Sequence, residues 1–186
     1  MNTYKETFEK EMIKKVQEAL KLTNVMAVPR LKKIMVNTST KDFLVDKKNL
    51  ERAAEDIETI TGQKAKITKA KTSIATFKLR EGDKLGLVVT LRGKRMYDFY
   101  EKLVKIVFPR VRDFSGVSDK FFDGQGNITI GFAENTVFPE IDPGKVDKIR
   151  SLQVTIVTDA ADDASAKELL KVMGMPFKKD PKELKI

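Results

Sequence analysis

LGLVVTLRGKRMYDFYEKLVKIVFP, residues 85–109, changes its hydrophobic period once, at a glycine. Before Gly93 the pattern repeats every second residue. Leu85, Leu87, Val89 and Leu91 point one way, while Gly86, Val88, Thr90 and Arg92 point the other, as in a strand with one buried face. After Gly93 the apolar residues Met96, Phe99, Tyr100, Leu103, Ile106 and Val107 follow helical spacing, and Pro109 is expected to stop that helix after Phe108. A half-buried strand that runs into a helix able to cover it is a building unit of α+β folds.

The flanking sequence extends this pattern. A first helix is expected from about Thr3 to Leu20. Thr3 and Glu6 form its capping box, and Tyr4, Phe8, Met12, Val16 and Leu20, with Ile13 beside them, form its apolar stripe. LKKIMVNT (31–38) reads as a strand after Pro29, although Ile34 and Met35 leave its orientation open. A second helix is expected from about Lys47 to Ile60, with Asp46 as N-cap, Gly62 beyond its end, and Leu50, Ala53, Ala54, Ile57 and Ile60 buried. A strand follows at about Lys64 to Lys69. Residues 70–84 have weak periodicity and a Glu81-Gly82-Asp83 turn, as in a long exposed hairpin or loop. NITIGFAE (127–134) and SLQVTIVTD (151–159) read as strands, and a last helix covers about Asp162 to Met173, ended by Gly174. The order predicts an α+β fold: a mainly antiparallel sheet with helices packed on one face, a ferredoxin-like elaboration and a long protruding loop. One domain over 1–178 is expected, with a basic, frayed tail at 179–186.

Charge points to a partner. Residues 66–112 carry thirteen Lys/Arg against four Asp/Glu, a net of +9, which equals the net charge of the whole chain. Such a block reads as the footprint of a polyanion, most often nucleic acid, or more simply as a solvated basic surface. The open sheet face would carry Thr90 and Arg92 on one strand and Asn37 with Lys33 on another, groups that donate to phosphates, sugars or base edges.

The chain has no histidine and no cysteine. Zinc sites of the usual Cys/His kind, Ser-His-Asp and Cys-His pairs, thiol redox chemistry and disulfides are therefore excluded. No apolar run approaches the roughly 18 to 20 residues of a membrane span, and the charged N-terminal segment does not resemble a signal peptide. A soluble, cytoplasmic protein without membrane contact or cofactor is expected. Asp123-Gly124-Gln125-Gly126-Asn127 has the look of a Ca²⁺ loop but lacks the later carboxylate ligands, and reads as a turn. Gly93-Lys94 is followed by Arg95 and has no glycine five positions earlier, so a P-loop fails. Asp159, Asp162 and Asp163 most simply favour the start of the last helix.

Several longer segments carry a resemblance. They are NVMAVPRLKKIMVN (24–37), GQKAKITKAKTSIATFKLREG (62–82), VVTLRGKRMYDF (88–99), FPRVRDFSG (108–116), FFDGQGNITIG (121–131) and FPEID (138–142). In this order they resemble the bacterial large-subunit ribosomal protein family five, from about residue 4 to about residue 178. The resemblance implies a non-catalytic protein of the large subunit that binds 5S ribosomal RNA and helps attach it in the central protuberance, beside 23S rRNA and neighbouring large-subunit proteins. It implies RNA contacts at Asn37, Gln63 and Thr90, with Lys33 and Arg92 on phosphates or sugars. It also implies a loop facing the P-site transfer RNA, with Lys69, Lys71, Thr72, Ser73, Lys78, Arg80 and Lys84. A small-subunit head protein would meet the region of Glu140, Asp142, Lys145 and Asp147, forming an intersubunit bridge. Two departures stand out. Asn37-Thr38-Ser39-Thr40 replaces the family's usual glycine-containing turn, and Lys71-Thr72 and Thr76 occupy a stretch that is commonly richer in basic residues or glycine.

Read without the resemblance, the residues leave two other classes open. One is a small phosphate-handling enzyme using Arg and Asn, which lacks a general base in a matching motif. The other is an RNA chaperone binding many RNAs weakly.

Overall fold

The computed structural model describes residues 4–40, 42–45, 47–144 and 148–178. Thr3, Asp46, Lys145, Asp147 and the tail 179–186, all named above, lie outside the described residues. Five strands form an antiparallel open sheet in the order β2-β3-β1-β5-β4: β1 Leu31–Ser39, β2 Lys66–Lys69, β3 Lys84–Leu91, β4 Ile128–Phe132 and β5 Leu152–Thr158. The helices are α1 Tyr4–Thr7, α2 Ile13–Ala19, α3 Asp42–Val45, α4 Lys47–Thr61, α5 Gly93–Lys102, α6 Phe108–Arg110 and α7 Asp163–Val172. The expected α+β class is observed, and burial alternates along the strands as one covered face requires. Ile34, Val36 and Thr38 of β1, and Leu87, Val89 and Leu91 of β3, are buried, while Lys33, Met35, Asn37, Val88 and Thr90 are half-buried. This settles the orientation of β1: Asn37 shares the open side with Lys33 and Met35.

The chain divides into two compact units. The first comprises Met1–Ile34, Arg92–Ile130 and Thr155–Ile186. Its core joins Phe8 and Val16 to Tyr100, Leu103 and Phe108 and to Leu169 and Leu170 of α7, all essentially buried. The N-terminal helix is not uniform. A wide π-helical turn, Phe8–Met12, separates α1 from α2. A stripe that repeats strictly every fourth residue would rotate by about 40° per repeat around an α-helix. A wider turn takes up part of that drift, and Phe8 and Val16 both stay buried.

A second π turn corrects the expectation at Pro109. Leu103–Val107 is π-helical, and the Phe108 N–H donates to the Leu103 carbonyl five residues back. In α geometry the proline ring would clash with the carbonyl four residues earlier. The widened turn relieves that clash, so the helix passes Pro109 and ends at Arg110. Ile106, expected inside, lies within this turn and is 43% exposed; Tyr97, earlier on α5, is buried although the helical spacing did not include it.

The second unit comprises Met35–Leu91 and Gly131–Val154. Leu50, Ala53, Ile57 and Ile60 of α4 are buried as expected, and α3 and α4 pack on β3. β2 begins at Lys66 rather than Lys64 and pairs with β3, Lys66 facing Val88 and Thr68 facing Gly86. Gly86 is required by close approach, because a Cβ there would lie 2.8 Å from Thr68 Oγ1 and 3.0 Å from the Thr38 carbonyl.

Candidate nucleic-acid interface

In the second unit the half-open side of the sheet displays Asn37 from β1, Lys66 and Thr68 from β2, Val88 and Thr90 from β3, and Gln153 from β5. Gln63 follows the end of α4 and meets β3 at Thr90. Gly62, at φ +67°, turns the chain there. The Thr61 hydroxyl donates to the Ile57 carbonyl (2.7 Å) and accepts from the Gln63 N–H (3.3 Å), closing the helix end. The Gln63 amide then donates to the Thr90 carbonyl at 3.2 Å. This bond brings two of the expected contact residues together and leaves the Gln63 carbonyl oxygen available as an acceptor. Among the described residues, the Asn37 side chain has no hydrogen-bond partner. Lys33 and Arg92 belong to the first unit, where the Arg92 guanidinium donates to the Lys32 carbonyl at 3.4 Å.

The segment that replaces the expected glycine turn is tied to both neighbouring strand regions. The Thr38 hydroxyl donates to the Ser151 carbonyl (2.7 Å), and the Ser39 hydroxyl donates to the Leu85 carbonyl (2.8 Å). None of Thr38, Ser39 and Thr40 has a positive φ, and β1 runs straight through Ser39. The backbone here is ordinary extended chain, so glycine's conformational freedom is not needed. Beside Asn37 the surface opens into a groove of about 450 Å³ between the ends of β1 and β4 and the start of β5.

Residues 70–83 form an internally bonded hairpin loop. The Ala70 N–H donates to the Asp83 carbonyl, Ile74 and Leu79 bond each other in both directions, and the Arg80 N–H donates to the Asp83 carboxylate (2.8 Å). The Ser73 hydroxyl accepts from the Glu81 N–H at 2.9 Å, and Lys78 adopts φ +53°. Lys69, Lys71, Thr72, Lys78, Arg80 and Lys84 are exposed around this frame, which suits contact with phosphates. Ser73 is also exposed but is engaged in the frame itself.

Of the four expected bridge residues, the structure describes Glu140 and Asp142. Both are exposed, and Asp142 accepts from the Gly144 N–H at 3.0 Å. Nearby in sequence, Lys148 pairs with Asp42 at 2.6 Å, and this hydrogen bond holds the Asp42 carboxyl below its ordinary range.

Sequence reasoning missed a buried cluster behind the groove. Arg150 is 7% exposed and lies 3.3 Å from Asp56, and Asn135 bonds both residues. Burial pushes the Asp56 carboxyl up, and the Arg150 charge opposes that shift. Long cationic side chains are rarely this buried, so nothing in the sequence marked Arg150. Gln153, by contrast, was legible from the alternation of SLQVTIVT.

The remaining acidic candidates are structural. Asp123 accepts from the Gln125 and Asn127 N–H groups and from the Asn127 amide, a closed turn whose side-chain bond to Asn127 holds the carboxyl low. The Asp163 carboxylate accepts from the Gly124 and Gly126 N–H groups, and Asp159 accepts from the Arg30 N–H. These two aspartates therefore tie loops together, a role beyond the expected helix dipole. Among the described residues no cluster of ligating side chains suits a metal ion, and no helix is long and apolar enough to cross a membrane.

Residues 24–80 match the family model described as Ribosomal protein L5, and residues 84–177 match the model for the C-terminus of the same ribosomal family. The chain is 50% identical over 173 residues to the Large ribosomal subunit protein uL5 of Syntrophomonas wolfei subsp. wolfei (strain DSM 2245B / Goettingen), an alignment covering 93% of this chain and 97% of that protein.

Proposed function

Because the chain belongs to the ribosomal protein L5 family, a structural and non-enzymatic constituent of the large subunit of the cytoplasmic ribosome, we propose that it binds 5S rRNA through the half-open sheet face. In this role it helps attach that RNA in the central protuberance, beside 23S rRNA and neighbouring large-subunit proteins. The observation that carries the reading is the polar set at the sheet: Asn37 and Thr90 on its half-open side, Asn37 without a hydrogen-bond partner among the described residues, and Gln63 held on the Thr90 carbonyl. Hydrogen bonds from these groups would fix register on a structured RNA, and Lys33, Lys66 and Arg92 would supply phosphate or sugar contacts. Changing Asn37, Gln63 or Thr90 to Ala is expected to weaken 5S rRNA binding by about 1–3 kcal/mol each, with circular dichroism unchanged. Full-strength filter binding by all three variants would remove the assignment.

The basic loop supports a second contact, with the P-site transfer RNA. Its cations surround a bonded frame apart from the polar set, so the two contacts are expected to be separable. Neutralising two of Lys71, Lys78, Arg80 and Lys84 is expected to lower the slope of log affinity against log salt by about one to two for transfer RNA on assembled ribosomes. Isolated 5S rRNA binding should be unaffected, and the reverse result would assign the loop to the 5S rRNA grip. The acidic residues Glu140 and Asp142, with Asp147 in the same segment as Lys145, support contact with a basic small-subunit head protein.

A further inference from the structure

We propose that the groove beside Asn37 is a pocket for an unstacked nucleobase of the bound RNA. The proposal rests on the 5S rRNA reading and deepens it. The chain is 34% charged, yet among the described residues no charged side chain lines this groove. Phosphate grips are strongest where a cation supplies charge-assisted hydrogen bonds, and this lining supplies no such charge. It offers instead what a base edge requires: the Asn37 and Gln153 amides, the Ser39 and Ser151 region, and a carbon surface at Ala133. Its volume, about 450 Å³, lies in the range of pockets that hold small ligands.

Gly131 supplies an independent argument. It sits inside β4, where glycine weakens a strand and often marks close approach by a ligand or another backbone. Gly86, the other strand glycine, is explained by Thr68 and Thr38 pressing on it. Gly131 has no such internal reason: its φ is ordinary, and a Cβ there would meet nothing within 4 Å. A bare strand position opening into an uncharged, amide-rimmed groove leaves room for a flat ring. The neighbouring polar set makes RNA the occupant favoured over a protein side chain.

The test is base-edge probing of a bacterial 5S rRNA transcript with dimethyl sulfate and a carbodiimide, using wild-type protein, Gly131→Leu and Gln153→Ala. Both positions are exposed, and Gly131→Leu projects into open space, so both variants should fold. Wild-type protein is expected to shield the pairing edge of an unpaired nucleotide. Each variant is expected to restore its reactivity and lower affinity about tenfold, the scale of one lost hydrogen-bonded contact. Wild-type shielding and affinity in both variants would overturn the pocket, including the case in which they impair only binding of a protein partner. If that occurred while Gln63→Ala and Thr90→Ala still weakened binding, the 5S rRNA reading would stand without the pocket. If wild-type protein failed to bind the transcript, both would fall.

Discussion

Asp56→Ala is expected to destabilise the protein by about 3–5 kcal/mol, because it leaves the Arg150 guanidinium buried without a counter-charge. Arg150 is 7% exposed, and among the described residues its Nε and Nη2 groups have no hydrogen-bond partner. What remains after the substitution is a Lys148 carbonyl 3.5 Å from Nη1, too long to compensate a charge. Arg150→Met is expected to behave differently. It removes the buried cation, keeps the packing of the apolar stem, and leaves Asp56, whose side chain is 27% exposed, partly hydrated. The charge left behind is then the partly hydrated one rather than the buried one, so a clearly smaller loss than that of Asp56→Ala is expected. Urea unfolding midpoints of the two variants check this contrast. Equal losses would mean that the ion pair is not what holds this cluster.

Gly116→Ala is expected to cost about 3 kcal/mol or more and to release the C-terminal segment. Gly116 has φ +105°, and a Cβ there would stand 2.6 Å from the Lys178 nitrogen and 2.7 Å from the Phe177 carbonyl carbon. Both neighbours are backbone, so neither yields by a rotamer change. The clash strikes the point where the segment is held. The Val117 N–H donates to the Pro176 carbonyl (2.8 Å), and the Lys178 N–H donates to the Val117 carbonyl (3.0 Å). Phe177 also stacks with Phe122 at 6.2 Å and receives the Lys167 ammonium 5.8 Å from its ring centroid. Two backbone bonds at roughly 0.5–1.5 kcal/mol each, plus the strain at positive φ, account for the expected size. A lowered unfolding midpoint with faster proteolysis near Phe177 would agree. An unchanged midpoint would show that the segment moves aside without cost.

The parts of the fold legible in the sequence are those governed by local period. The alternation in β3 identified its buried face correctly, and the stripe in α4 did the same. The failures occur where the period itself changes. Around Ile106 and Pro109 a π turn alters the number of residues per turn, and a count based on 3.6 misplaces both. Long-range pairing was also hidden. The partners of Thr38 and Ser39 are carbonyls of Ser151 and Leu85, remote in sequence, so the departure from the usual glycine turn was visible and the ties that take its place were not. Arg150 was invisible because its burial depends on Asp56 and Asn135, each remote in sequence. For the candidate site, residue types and face were legible. The groove was not, since three separate segments meet to make it.

The central claim, that this chain recognises 5S rRNA specifically, is tested most directly by sequencing the RNA that remains bound to the full-length protein purified from bacterial cells at moderate salt. One discrete species is expected, 5S rRNA, in near-equal ratio to protein and depleted in an Asn37→Ala, Thr90→Ala double variant. A broad mixture of RNAs, insensitive to those substitutions, would contradict it.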